Sequence, residues 1–420
     1  MRISALILFF SCSLLLFFCL YFYSCKASPP AQQENQFSGV PAKKPFVDKG
    51  MIVLDDRPKS QNIFNPQDSF AEVTLSFVGD LMCHMPQVNN AKTDSIRYNF
   101  NPSFEWVKSY LEQSDITIGN LELTCAGSDK GYSGYPSFNA PDEYISSLKE
   151  SGFDYLVTAN NHSMDKGEGG LLRTIEVIKK NQLGYAGTFL SQRDHDSCRV
   201  INVKGVKIAL LNYTYGTNGA YPDSKRKYML NVIDSFDLHH DITAVKNIGV
   251  DFIAVFFHFG VENGAEPNET QKKAVRWARQ AGAQIVVGAH PHVIGPCRWL
   301  VPDIDHVDTT FVAWSLGNFL SNQNSRFTDA GMILTLRLKK NFTKNKVFFG
   351  TADYLPTWVY RGERLQKKMH IIFPSQLSEY RSKLPVYLDS SLVFKMKQAY
   401  EDTKAMVNKY GQAVQLKNVR

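Results

Sequence analysis

Three histidines carry the first chemical signal in this sequence. His258 ends the run Asp251-Phe-Ile-Ala-Val-Phe-Phe-His258, and His290 and His292 end Gln284-Ile-Val-Val-Gly-Ala-His290-Pro-His292. Both runs are apolar, β-branched or aromatic, and read as buried strands that stop in a turn, so the imidazoles arrive at strand ends. In layered α/β folds that rim is where ligands bind. A polar strand cap would explain one such histidine; His-x-His in a chain holding only 10 histidines points to a built site. The pattern recurs. Glu72 to Gly79 alternates as a strand and delivers Asp80, with His84 close behind. Asp115 to Gly119 leads into Asn120-Leu121-Glu122, Phe153 to Ala159 into Asn160-Asn161-His162, and Thr310 to Trp314 into Ser315-Leu316-Gly317-Asn318.

Nitrogen and oxygen donors without thiolates suit divalent Zn, Mn or Fe. Asp80, His84, Glu122, Asn161, His258, His290 and His292 are the expected metal ligands. Two ions about 3.5–4 Å apart can generate hydroxide from water and clamp the oxygens of a displacement at phosphorus. Glu122 is suited to bridge them, and His162, off the metals, to protonate a leaving group as the catalytic acid. Asn120, Asn160, Glu262 and Asn318 stand at the same ends and are candidates to bind substrate.

The elements that must position these groups alternate strand and helix, the mark of an α/β fold. Amphipathic helices are expected over Ser103–Gln113, Asp142–Ser151, Asp237–Gly249 and Pro267–Ala281, the last capped by Asn268. The glycine-rich turn Asp165 to Gly170 opens another, from Leu171 to Asn181, whose amino end could hold an anion. Lys204-Gly205 is expected as a hairpin turn, Asn212 to Gly216 as a substrate-facing loop, and the stretch after His292 as irregular. His239-His240, on a helix, read as solvated or core histidines. Beyond Arg326 the pattern changes to two antiparallel strands, Met332–Leu338 and Val347–Val359, and a helix, Ser390–Tyr410, read as a cover for the sheet or a substrate-orienting lobe.

Met1-Arg2 and the apolar run Ile3 to Tyr23 form an export signal or an uncleaved anchor. Ser24-Cys25 resembles the end of a bacterial lipoprotein signal, with Cys25 lipidated. Residues 28 to 69, rich in Pro, Gln, Asn, Lys and Ser, read as a flexible tether. The expected location is therefore the bacterial envelope, exported and tethered to the membrane. The remaining length and 44% hydrophobic content suffice for a large core. A net charge of +7 favours an acidic polymer or anionic surface, but no Lys/Arg run with interleaved aromatics suggests nucleic acid. Of 7 cysteines, Cys83, Cys125, Cys198 and Cys297 lie in the folded part without a Cys-x-x-Cys pair, so a thiolate zinc site or thioredoxin-like motif is not indicated; one or two disulfides are allowed.

Six motifs occur in an order that resembles the CapA family of bacterial poly-γ-glutamate synthesis or capsule proteins, related to calcineurin-like metallophosphoesterases. They are Gly79-Asp80-x-Met82-x-His84, Asn120-Leu121-Glu122, Ala159-Asn160-Asn161-His162 with Asp165-x-Gly167, His258-x-Gly260-x-Glu262, Gly288-x-His290-Pro291-His292 and Ser315-Leu316-Gly317-Asn318-Phe319. The resemblance runs from about Thr74 to Asn322 and implies a four-layer α/β/β/α sandwich of metallophosphoesterase type, with a C-terminal β/α appendage and a dinuclear site. Residues 1–25 would then be the signal or anchor, 26–70 the tether, 71–325 the metallophosphatase domain and 326–420 the C-terminal strands and helix. Asp80, Asn161-His162, His258, His290 and His292 match metal-site positions of the superfamily. Two positions depart from it. The superfamily's Asp-x-His motif is absent, since Leu81-Met82 follow Asp80 and His84 stands further on, and Glu122 replaces an aspartate.

Three functions are compatible with this pattern. One is a metal-dependent hydrolase of phosphoesterase type, involved in making, attaching or trimming an anionic capsule or cell-wall polymer. The second keeps two divalent ions and cleaves or transfers an amide bond of poly-γ-glutamate. The third is a non-catalytic module that holds a polyanion or a membrane-bound synthase partner.

Overall fold

The computed structural model describes residues 52–55, 69–301, 309–361, 369–376, 389–417 and 419. In chain order the elements begin with β1 (Ile52–Asp55), β2 (Phe70–Leu81), α1 (Met85–Ala91), α2 (Lys108–Glu112), β3 (Ile116–Leu121), α3 (Glu143–Glu150), β4 (Tyr155–Val157), α4 (Gly167–Lys180) and β5 (Gly184–Ala186). There follow α5 (Gln192–His195), β6 (Cys198–Val203), β7 (Val206–Thr214), α6 (Ser235–Asn247), β8 (Phe252–His258), α7 (Glu269–Ala281) and β9 (Ile285–Ala289). The last are β10 (Cys297–Leu300), β11 (Thr310–Ala313), β12 (Asn318–Leu320), β13 (Ala330–Asn341), β14 (Lys346–Tyr360), β15 (His370–Ile372), α8 (Ser390–Val407) and β16 (Gln415–Leu416).

Two sheets result. One has the order β1-β6-β7-β8-β9-β11-β10; the other runs β15-β14-β13-β2-β3-β4-β5, with β12 paired to β2 and β16 to β14. Strands β7, β8, β9 and β11 are parallel to one another, as are β2 to β5.

The period of two along each strand sets the layers. On β8, Phe252, Ala254 and Phe256 enter the core between the sheets, while Ile253, Val255 and Phe257 pack outward with Leu238, Ile242 and Val245 of α6 and Ala274, Val275 and Ala278 of α7. Strand β2 mirrors this. Val73, Leu75 and Phe77 face the inter-sheet core, whereas Val78 and Leu81 join Tyr144, Ile145 and Leu148 of α3 and Leu171, Ile175 and Ile178 of α4. Both faces of each central strand are thus buried, which is why these strands read as continuous apolar runs. The result is the expected α/β/β/α sandwich.

Local chemistry explains the helix limits. Asn268 caps α7 through its side chain and forms a reciprocal capping box with Gln271, and Gly282 closes the helix in the left-handed region. The Lys204-Gly205 turn joins β6 and β7 as expected, both residues having positive φ.

Several expectations change. Within Ser103–Gln113 only Lys108–Glu112 is α-helix, preceded by a 3-10 turn at Asn101–Ser103. Four residues of the expected tether, Ile52–Asp55, form a parallel edge strand on β6. The irregular stretch after His292 contains β10, antiparallel to β11. In the C-terminal segment, β13 pairs along β2 from Phe70 to Val78, so these strands extend the sheet, while Leu392, Met396, Ala399 and Val407 of α8 cover part of the inter-sheet core. Cys83, Cys125, Cys198 and Cys297 are all buried and free, so neither allowed disulfide forms among them. The lipidation site expected at Cys25 and the apolar run before it lie outside the described residues; among those described, no helix is long and apolar enough to cross a membrane.

Candidate metal centre

Close backbone approach builds the floor of the site. A Cβ on Gly79 would lie 1.9 Å from the Gly317 carbonyl oxygen, and one on Gly288 would lie 2.0 Å from that of Trp314. Only glycine permits either approach. The Asp80 amide donates to the Gly317 carbonyl at 3.0 Å, and Asn318 pairs with Asp80 in the β2–β12 register. Two sequence motifs about 240 residues apart are joined in this way. The His290-Pro291-His292 turn is held in a conformation that L-residues rarely adopt, with φ of 98° at His290 and 59° at His292. Asn263 clamps it by donating its amide to the Pro291 carbonyl at 2.8 Å.

Asp80, Glu122, His258, His290 and His292 meet at the carboxyl ends of β2, β3, β8 and β9, all buried. They form two overlapping groups, Glu122-His290-His292 and Asp80-Glu122-His258, each with one donor atom per residue within 4.8 Å of the others. Glu122 belongs to both. His258 Nε2 lies 3.6 Å and His292 Nε2 3.8 Å from Glu122 Oε1. His292 Nδ1 is 3.0 Å from Asp80 Oδ2, and His258 Nε2 is 2.8 Å from Asn161 Oδ1.

The electrostatics suit a cation. Burial, reinforced by the Asp80 carboxylate, raises Glu122 well above the usual carboxyl range. Burial pushes His258 well below its ordinary value and His290 down to about 3. His292 is also opposed by burial, but its hydrogen bond to Asp80 and that carboxylate's charge raise it overall. Both Glu122 oxygens and His290 Nδ1 are buried and make no hydrogen bond. Leaving a carboxylate buried and unpaired costs several kcal/mol, and a proton or a metal ion removes that cost. The donor set therefore fits divalent ions held by oxygen and imidazole nitrogen.

His162 lies beside these groups without belonging to either. Its Nδ1 is 2.8 Å from Asp165 Oδ2, and the Phe138 ring packs edge-on against the imidazole at 4.7 Å. The Asp165 oxygen also accepts the Phe138 amide at 2.6 Å, which fixes both partners. Nε2 is then the nitrogen left to exchange a proton.

Four expected roles change. His84 stands outside both metal groups: its Nδ1 faces Gln87 Oε1 at 3.1 Å and accepts the Asn322 amide at 3.3 Å, and burial pushes it down to about 4. Asn120, expected to contact substrate, donates through Nδ2 to Asp80 Oδ1 at 2.8 Å and lies 3.2 Å from His258 Nδ1, so it orients those two side chains. Asn318 does the same for His292 at 3.2 Å while its amide group donates to Gln323 and Thr328. Asn160 is a backbone clamp, donating to the Leu121 carbonyl at 2.7 Å and accepting the His162 amide at 3.0 Å. Glu262 alone of these candidates is exposed at the rim.

The site also contains residues absent from the sequence-based set. Tyr215, in the loop expected to face substrate, tilts its ring over His290 at 4.7 Å and stacks parallel to His258 at 6.4 Å. Asn218 receives a 3.4 Å contact from Asn161 Nδ2 and places its own Nδ2 3.4 Å from His162 Nδ1. Asp165 was visible in the sequence as part of a glycine-rich turn, but three-residue spacing to a histidine in a loop carries no signal of contact.

Comparison with known proteins follows the same residues. The model of the family described as "Bacterial capsule synthesis protein PGA_cap" matches residues 74–323. The chain is similar to the "Capsule biosynthesis protein CapA" of Bacillus anthracis, 30% identical over 281 residues, which cover 65% of this chain and 65% of that protein. It is also similar to the "PGA biosynthesis protein CapA" of Bacillus subtilis (strain 168), 30% identical over 277 residues, 64% of this chain and 69% of the relative. This chain thus spans about two thirds of the length of these relatives. Among solved structures it is similar to the calcineurin-like phosphoesterase YfkN from Bacillus subtilis, with a TM-score of 0.40 and 13% identity over 79% of this chain and 98% of that one.

Proposed function

The chain belongs to the bacterial capsule synthesis protein family PGA_cap, and from that premise we propose that it is a metal-dependent hydrolase of phosphoesterase type acting on an anionic polymer of the bacterial envelope. One observation supports the reading: Glu122, buried and with neither oxygen hydrogen-bonded, belongs to both groups of side chains that could hold a metal ion. Asp80, Glu122 and His258, with the Asn161 amide oxygen beside His258, would hold one ion; Glu122, His290 and His292 would hold the other. When bound, such ions supply an activated water and charge neutralisation at the scissile phosphorus.

The chain's own residues do the rest. Asn120 and Asn318 fix the orientations of Asp80, His258 and His292 through the hydrogen bonds already described, as outer partners of metal ligands do. Asp165 holds His162 Nδ1, so the imidazole presents Nε2 to protonate the leaving oxygen. Burial of every ligand excludes bulk water and strengthens these interactions. The protein would work outside the cytoplasm, tethered by its amino-terminal segment and near membrane-bound capsule synthase proteins. That placement rests on the export signal read in Met1 to Cys25.

A second reading assigns the same residues to an amide bond of poly-γ-glutamate, and the name of the Bacillus subtilis relative favours it. Metal analysis of purified protein, beside His290→Ala and Glu122→Gln, tests the common premise. About two ions per chain, lost in both variants while the fold is kept, supports a dinuclear hydrolase. Protein that stays empty after Mn or Zn is supplied overturns it and leaves the binding module. Product analysis on phosphoesters and on poly-γ-glutamate then separates the two reactions.

A further inference from the structure

The mouth of the site is lined differently from its floor. Tyr135, 69% exposed, lies edge-on to His162 at 6.4 Å between ring centroids, while Tyr215, 44% exposed, covers His290 at 4.7 Å. One tyrosine thus flanks the proton donor and the other flanks the metal ligands. Neither is loosely placed. The Tyr215 amide donates to the His258 carbonyl at 2.9 Å, and Asn218, three residues on, donates its amide to the Asn161 carbonyl at 3.1 Å. On the Tyr135 segment, Ser133 and Asn139 exchange backbone hydrogen bonds at 3.1 and 2.8 Å. Glu262 is exposed and directly precedes Asn263, whose amide is held by the Pro291 carbonyl between His290 and His292 at 2.8 Å.

We propose that this mouth is a sugar-binding subsite, in which Tyr135 and Tyr215 take the apolar face of a glycosyl ring and Glu262 accepts its hydroxyls, so that the substrate is a glycosyl phosphoester. Tyrosine offers a flat apolar face with a polar tip, and a few placed acceptors fix the orientation of a polyhydroxyl ligand. Poly-γ-glutamate lacks a ring to stack, and its carboxylates would meet Glu262 with like charge. The inference rests on the metal-centre reading above.

Calorimetric titration of the Mn-loaded protein with inorganic phosphate, α-glucose 1-phosphate and tri-γ-glutamate tests it. Glucose 1-phosphate should bind roughly tenfold tighter than phosphate, in line with one well-placed aromatic contact. That ratio should fall to about twofold in the Tyr135→Ala/Tyr215→Ala double variant and persist in Tyr135→Phe/Tyr215→Phe, which keeps both rings. A ratio near one in the native protein, or one unchanged by the double alanine variant, overturns the subsite. Tighter binding of tri-γ-glutamate than of glucose 1-phosphate overturns it too, while leaving the metal centre intact. Failure to take up Mn at all overturns the metal centre and the subsite together.

Discussion

Glu122→Gln separates metal binding from folding more cleanly than any other single change. The substitution keeps the shape of the side chain and removes the charge. In the metal-free protein Glu122 is buried, its oxygens make no hydrogen bond, and burial raises it well above the usual carboxyl range, which disfavours its charged form. Removing a charge that burial already opposes, with the side-chain shape kept, should change metal-free stability by less than about 1 kcal/mol. The metal-bound protein is another matter. Each site filled at 100 times its dissociation constant stabilises the native state by ~2.7 kcal/mol, and two sites by ~5.4 kcal/mol. At about 2 °C per kcal/mol, native protein should melt ~10 °C higher with Mn than with a chelator. Because Glu122 serves both groups, the variant should lose most of that increment at once. Differential scanning calorimetry with and without Mn, with metal counted by mass spectrometry, reads both quantities. An undiminished shift, with two ions still bound, would refute the shared-carboxylate arrangement. So would a variant already several kcal/mol less stable in chelator, which would mean that Glu122 is a structural anion in the metal-free fold.

Other consequences are more local. His162→Asn should keep both ions, since His162 belongs to neither metal group, while turnover falls ~10²–10⁴-fold; metal loss in step with activity would remove it as proton donor. Metal-free protein should lose stability as pH falls below ~6.5, the unfolded histidine value, because His84 and His290 stay neutral in the fold until about 4 and about 3 and His258 is lowered as well, three losses set against one opposing gain from Glu122, which burial raises. Each contributes up to ~1.4 kcal/mol per pH unit across its window, and chelator melts from pH 7.5 to 4.5 that stay flat would contradict this sign. Gly288→Ala should destabilise by ~1–3 kcal/mol or more, because the new methyl meets the Trp314 carbonyl oxygen at 2.0 Å; a denaturant midpoint equal to the native one would mean that the backbone yields freely there.

The strand ends were readable from local pattern because their cause is local. An apolar run such as Phe252 to Phe257 must be buried on both faces, so His258 is the first residue able to leave the core, and the same holds for His290 after Ile285–Ala289. Asn268 announces α7 for an equally local reason, since its side chain caps an amide three residues away. Five buried candidate ligands therefore lay in the local pattern, while the four layers came from the family resemblance of the ordered motifs. Short or mixed elements were not legible: Ile52–Asp55 and Cys297–Leu300 are each only 4 residues long, and their pairing on β6 and β11 is what makes them strands.

Roles within the site were settled by register and packing between distant segments. Asn120 and Asn318 looked like substrate contacts because they stand at strand ends, but the pairing of β12 with β2 and of β3 with β2 turns their amides onto His292 and Asp80. His84 follows Asp80 by four residues, yet α1 begins immediately after it, and the Asn322 amide occupies its Nδ1. Tyr135 carried no signal and Tyr215 only that of its loop, since a tyrosine in a loop gains a role only from the imidazole it is folded against. Sequence determined which side chains reach the rim of the sheets, because burial of the flanking residues is a local demand. The tertiary structure decided which of them could share an ion, hold a partner or face the solvent, because contacts across some 40 to 240 residues depend on how the sheets pair and pack.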